Sequence, residues 1–259
     1  TRSLIVTGVQ TCALPISVEG DGGRYDPVEK TIVWSSESTT DLARIESGAQ
    51  GILPFRFSPK VGTVGDITLA LSVAGTFPDR DFFQDTISNI DQKVIRFAST
   101  LQFAAQSLYS IGPIKNTGPF PPKVGKETTY TISWTMRPVE NPLTRATATA
   151  VLPIGAVWTG VTYPSSEAFS YDQQSRTVKW NIGSVPKSSN TSLSRTASFQ
   201  VKVLPTKGQI DTELNLLGET VISAVDEVAG TPLSITRPAL TTRLSTDPAY
   251  SVGKEKVLP

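Results

Sequence analysis

The sequence predicts an all-β protein of tandem antiparallel β-sandwich modules, the first of them truncated at its N-terminal side. Three observations carry this expectation. The chain repeats itself at a fixed offset, its best-patterned segments alternate with a period of two, and its composition favours strands and turns. "RYDPVEKTIVW" (Arg24–Trp34) matches "SYDQQSRTVKW" (Ser170–Trp180), and "FRFSPK" (Phe55–Lys60) matches "VKVLPT" (Val201–Thr206). The pairs Tyr25/Tyr171, Trp34/Trp180 and Pro59/Pro205 give 171−25, 180−34 and 205−59, each 146. One offset held through three separate pairs marks a repeat of a whole structural unit. Charged residues make up only 18% of the 259, below the roughly 25% usual for soluble domains. Ser and Thr are abundant instead, and Gly and Pro number 19 each. Such a composition suits short strands and turns.

Taken in order, the chain opens with "VTGVQTCALPI" (Val6–Ile16). Thr7, Gly8, Gln10 and Thr11 interrupt any apolar core of a signal peptide, and Gln10 and Thr11 stand where a lipoprotein signal wants small residues. Ile5, Thr7 and Val9 alternate weakly, as a strand would. The stretch also resembles the in-frame translation of a common sequencing adapter. On that reading residues 1–16 are an artefact, Ser17 is the first genuine residue, and Cys12 has no role as nucleophile, ligand or redox sensor. A truncated module then covers residues 17–93 and a complete one residues 94–259. Adding the offset to Ser17 gives 163, so the first module should lack counterparts of the strands Thr128–Met136 and Arg145–Pro153.

The second module reads as strands throughout. In "TTYTISWTM" (Thr128–Met136), Tyr130, Ile132, Trp134 and Met136 alternate with Thr129, Thr131, Ser133 and Thr135. That pattern places one set on a core and the other in water. "RATATAVLP" (Arg145–Pro153) and "ASFQVKVLP" (Ala197–Pro205) alternate likewise. Shorter strands fit Thr177–Gly183, Asp211–Gly218, Thr220–Val225 and Pro232–Thr236, with turn residues between them. "VIRFASTLQFAAQSL" (Val94–Leu108) fits a helical stripe and a strand alternation alike; its β-branched and aromatic first half favours a strand opening the second module.

The segments Ile111–Met136, Ala148–Gly160 and Ser170–Val185 resemble the bacterial surface-repeat family known as domain of unknown function eleven, in the large versions found among uncultured bacteria. Leu152, Pro153, Gly155, Trp158, Tyr171, Val178, Trp180, Ile182 and Gly183 carry the pattern. The resemblance covers the second module almost fully and the first from Arg24 onward. It implies tandem Ig-like modules in a long, secreted protein of the cell envelope.

Composition narrows the chemistry. The chain has no histidine, which removes Ser-His-Asp and Cys-His catalysis and most transition-metal sites. One cysteine forms no internal disulfide. Lys plus Arg number 24 against 23 Asp plus Glu, a balance that offers no footprint for nucleic acid. No apolar run approaches the ~20 residues of a membrane span. No catalytic, cofactor-binding or metal-binding residue is expected.

Several residues still invite a functional reading. Trp34 and Trp180 follow Ile32 and Val178 on one strand face, which marks them as core. Trp158, in "VWTGVTYP" beside Tyr163, is less committed to a core, and this pair is the candidate contact for a sugar. Asp79, Asp81 and Asp85 in "DRDFFQD" lack calcium-loop spacing, since Phe83 stands where a ligand is wanted. Glu19, Asp21 and Asp26 lack it too. "SVPK" (Ser184–Lys187) matches a Ser-Lys acylase motif, but Pro186 and the preceding strand deny it the helix start. "PFPP" (Phe120 within Pro119–Pro122) reads as a module cap. The expected function is a non-enzymatic extracellular spacer whose partners are neighbouring modules. The alternative is an adhesin that binds a cell-surface glycan or protein through loops at one end of the sandwich.

Overall fold

A computed structural model describes residues 3–10, 15–20, 22–46, 48–59, 66–76, 86–137, 139–188, 190 and 193–259. Cys12, Asp21, Asp79, Asp81, Phe83 and Asp85 lie outside the described residues. The chain divides into two compact units, Thr1–Phe97 and Ala98–Pro259.

In the second unit the strands are β8 (Phe103–Leu108), β9 (Thr128–Met136), β10 (Leu143–Val151), β11 (Ala156–Tyr163), β12 (Ala168–Asp172), β13 (Thr177–Val185), β14 (Arg195–Val203), β15 (Asn215–Leu217), β16 (Thr220–Asp226), β17 (Pro232–Arg237) and β18 (Leu240–Thr241). They form a sandwich of a five-stranded sheet, β12-β13-β10-β16-β17, and a four-stranded sheet, β11-β14-β9-β8, with β15 and β18 as a small extra pair. All pairings between these strands are antiparallel. The period-two pattern decides which residues fill it. Tyr130, Ile132 and Trp134 of β9, Val178 and Trp180 of β13, and Phe199 and Val201 of β14 are wholly buried. On β10 the inward positions are Ala146, Ala148 and Ala150, and Ala148 sits directly beside Trp180. Small residues next to large rings let the two sheets close to core density.

One half of the β9 expectation needs correcting. Thr129, Thr131 and Ser133 point away from the core, yet they are buried, as are Ser198 and Gln200 on β14. Part of their cover is the loop over residues 109–118. Asn116 donates from Nδ2 to Thr131 Oγ1 (3.0 Å), and Gln200 donates from Nε2 to Lys115 O (3.1 Å) and Asn116 Oδ1 (3.2 Å). The hydroxyl-rich face is a hydrogen-bonding pad for a loop rather than a wet surface.

The first unit holds β1 (Ser3–Gln10), β2 (Pro15–Gly20), β3 (Arg24–Asp26), β4 (Thr31–Ser35), β5 (Phe55–Pro59), β6 (Asp66–Thr76) and β7 (Thr86–Arg96). Its sheets run β3-β4-β1-β6-β7 and β2-β5. The larger sheet follows the order of β12-β13-β10-β16-β17 strand for strand. Tyr25 pairs with Ile32 as Tyr171 pairs with Val178, so the sequence offset is also a register. Trp34 is wholly buried, with Phe55 edge-on at 6.3 Å.

The opening stretch supplies β1, between β4 and β6, and β2, beside β5. β1 therefore takes the position of β10, and β8, β9, β15 and β18 have no counterpart among the described strands of this unit. The first compact unit runs to Phe97, and within it β7 pairs with β6 along its full length, Asp66 to Arg96. Accordingly Val94–Leu108 is not one strand: Val94–Arg96 ends β7, residues 97–102 are irregular, and β8 begins at Phe103.

Candidate functional site

The two candidate contact residues, Trp158 and Tyr163, both lie on β11, the edge of the four-stranded sheet. Trp158 pairs across to Val201, a core residue, and Tyr163 to Ser198, which faces away from the core. Between them the register shifts, with Gly160 at φ +84°. Cross-strand partners share a face, so the two side chains point to opposite faces about 10 Å apart along the sheet. The structure does not bring them together.

Trp158 instead closes the open side of the sandwich. It stacks on Tyr171 of β12, the facing edge, with centroids 5.7 Å apart and planes at 13°. Phe199 lies 5.2 Å from it and Phe169 6.3 Å. This chain of rings continues through Trp134 and Trp180 into the core. Tyr163 alone is presented to solvent, 52% exposed.

Behind the ring cluster sits a half-buried ion pair. Glu167, with 9% of its side chain exposed, accepts from Arg195 Nε at 2.7 Å and from Trp180 Nε1 at 2.7 Å. Arg195 also donates to Ile182 O at 2.6 Å, and its guanidinium lies 5.9 Å from the Trp180 ring. Burial pushes the Glu167 pKa up, but the Arg195 and Trp180 donors outweigh it and hold the carboxyl below its usual value.

Two further carboxylates pin irregular segments. Asp226, wholly buried at the end of β16, accepts from Ser99 N (2.7 Å), Asn141 Nδ2 (3.0 Å), Val228 N (3.0 Å) and Ala229 N (2.9 Å). Asn141 N in turn donates to Ser99 Oγ at 2.7 Å. Asp247 accepts from Tyr109 N and Ser110 N, both at 2.7 Å, from Ser110 Oγ and from Ala249 N at 2.9 Å. For both, burial raises the pKa and the donors more than reverse it. A general acid poised near neutrality needs the opposite shift. These groups are built as fixed anions that tie backbone together.

The remaining sequence candidates have structural places. Asp26 Oδ1 accepts from Val28 N (2.8 Å) and Glu29 N (3.2 Å), which closes the β3–β4 turn. Ser184 and Val185 end β13, and Lys187 bridges Val139. Phe120 stacks on Tyr109 at 4.9 Å. Among the described residues no group of three or more His, Cys, Asp or Glu side chains could hold a metal ion. A cavity of about 290 Å³ lies between the β10–β11 turn (Ile154, Gly155) and Leu204, Gln209 and Glu213. It is at the small end of the range for ligand pockets.

No protein-family model and no curated protein matches this chain. Among solved structures, the chain is similar to the C-terminal domain of the Streptococcus pyogenes antigen I/II-family protein AspA, at 13% identity and a TM-score of 0.35. That match spans 92% of this chain and 84% of that one.

The three pinning acids escaped the sequence reading. Asp226 and Asp247 carry a local signal, because an Asp two residues before a turn N–H is the pattern of an Asx turn. Their other partners, Ser99 and Asn141 for Asp226 and Tyr109 and Ser110 for Asp247, are distant in sequence and leave no such signal.

Proposed function

We propose that this chain is a non-enzymatic structural spacer, a tandem of Ig-like sandwich modules displayed at a bacterial cell surface. One observation carries the reading: the chain runs through the second unit from pole to pole. It joins the sandwich where Ser99 meets the end of β16 and Phe103 pairs with Met136, the last residue of β9. Its final residues lie near the start of β9, where Leu258 N donates to Pro122 O (2.8 Å) and Val124 N to Leu258 O (3.0 Å). β9 is nine residues long, so about 27 Å of strand separates these points. A module traversed in line adds its length to an array, whereas one with both ends at the same pole does not. The resemblance to envelope repeats supports an extracellular setting, with neighbouring modules as partners.

An adhesin remains the second reading, because Tyr163 is exposed and the cavity at Ile154 and Leu204 opens at one end of the sandwich. A glycan and matrix-protein array probed with the whole chain separates the two. The spacer reading expects no selective binding. Selective binding that Tyr163→Ala abolishes without changing the melting temperature would overturn it in favour of an adhesin. Trp158→Ala is the poorer probe, since that ring holds the sandwich edge. Hydrolysis of any polysaccharide on the array would sink both readings.

A further inference from the structure

We propose that the Asp226–Ser99–Asn141 cluster is a tension clasp, the element that first takes load when the chain is pulled through its two ends. The inference rests on the spacer reading, since only an in-line module is pulled this way. Residues 97–102 carry no strand, so pulling force reaches the second unit through an irregular segment that would peel if nothing held it. Asp226 holds it. The carboxylate grips Ser99 through the backbone N–H at 2.7 Å, and the Ser99 hydroxyl takes the N–H of Asn141 at 2.7 Å. Asn141 Nδ2 returns to the same carboxylate, and Val228 N and Ala229 N anchor it to the β16–β17 turn. Three separate stretches of chain thus meet on one buried anion. Charge-assisted hydrogen bonds of this kind are shorter and about twice as strong as neutral ones.

Immediately beyond the clasp, Arg137 N donates to Gln102 O (2.9 Å), and β8 begins. β8 pairs with β9 over six residues, Phe103↔Met136 to Leu108↔Thr131. Force along β8 therefore loads those rungs together, in shear, and only after the clasp opens. At the far pole, Val257 and Leu258 lie between Ile210 and Lys123 in parallel bridges, which hold the other end.

The test is single-molecule force spectroscopy on the full chain, pulled through its first and last residues. The longer of the two extensions identifies the second unit. Asp226→Asn should remove the first force peak of that unit and leave only the later shear of β8 against β9, and Ser99→Ala should lower that first peak. Tyr171→Ala, on edge strand β12 away from the load path, should lower the melting temperature and leave the unfolding force in place. An unchanged force peak in the Asp226 and Ser99 variants would overturn the clasp. So would a peak that falls equally in Tyr171→Ala, because force would then track overall stability. If Asp226→Asn fails to fold, Ser99→Ala carries the comparison. A lost peak in a protein that also captures a glycan keeps the clasp and rejects the spacer; an unmoved peak in a protein without ligands does the reverse.

Discussion

Lys30 and Arg176 share one left-handed backbone conformation, φ +53° and +56°, at the same place in two hairpins 146 positions apart (176 − 30). In each hairpin an aspartate closes the turn just before, Asp26 accepting from Val28 N and Asp172 from Gln174 N. A left-handed residue other than glycine costs about 1 kcal/mol or more. In the second unit that cost is offset. Arg176 donates from Nε to Leu152 O at 3.0 Å, and from its terminal nitrogen to Pro153 O and to Ala156 O at 2.9 Å. Lys30 has no such carbonyl partners among the described residues. Glycine at the two positions should therefore have opposite effects. Lys30→Gly should stabilise the first unit by up to about 1 kcal/mol, and Arg176→Gly should destabilise the second by about 2 kcal/mol. Thermal unfolding of the two variants reads both signs, and shifts in the same direction would contradict the account.

Tyr130 presents the reverse case, a polar atom with nothing to bond. The residue is wholly buried, and its hydroxyl has no hydrogen-bond partner among the described residues. Burial, with Tyr109 nearby, pushes its pKa far up. An unsatisfied buried hydroxyl costs about 1–3 kcal/mol. Tyr130→Phe keeps the ring and its contact with Tyr109 at 5.9 Å. The variant should melt at the same temperature or higher. A loss of several degrees would show that the hydroxyl has a partner in solution.

How much of this was legible can be judged from β9. Its bounds, Thr128–Met136, follow from the alternation alone, because only one face of the strand meets the core. Alternation says which way Thr131 points, but it does not say whether water is there. The loop over residues 109–118 occupies that face, and its anchors are Asn116 and Asp247, the second lying 138 positions from Tyr109. Contacts at such separations leave no local pattern. The misreading of Val94–Leu108 has the same origin: its composition is that of a strand, but Ser99 is drawn out of line to Asp226. Trp158 was ambiguous for a related reason. It sits on an edge strand, where the pattern is the same whether a ring closes the sandwich or faces solvent.

The three pinning carboxylates set an acid limit on stability. Asp226, Asp247 and Glu167 all have pKa values held below their ordinary ones in the folded protein. A depressed folded pKa gives a contribution that is fully present above the unfolded value, about 4 for Asp and Glu. It is lost as pH falls through the folded value. Stability of the second unit should therefore be flat from pH 7 to about 5 and fall on further acidification. Asp247→Asn should lower the stability at pH 7 and make the acid loss shallower, because one of the titrating groups is gone. Melting temperatures across that range check both. An acid loss just as steep in the variant would show that Asp247 does not take part.

Deleting residues 1–16 decides between two accounts of the opening stretch. Read as translated adapter, it has no evolved surface to meet, and its loss should leave every melting transition in place. The structure puts Ser3–Gln10 in the middle of a five-stranded sheet, with Leu4 between Trp34 and Val73. Removing a central strand parts β3-β4 from β6-β7 and exposes two rows of backbone groups that were paired. Each lost hydrogen bond is worth about 0.5–1.5 kcal/mol, and a domain has only about 5–15 kcal/mol in hand. The deletion also takes Pro15 and Ile16 from β2, which pairs β5 beside Trp34 and Phe55. The first unit should then lose its cooperative transition, while the second, with its own closed core, keeps its own. Calorimetry of the intact and shortened chains reads this directly as two transitions against one. Two unchanged transitions would mean that β1 adds nothing to the fold and that the genuine module begins at Ser17.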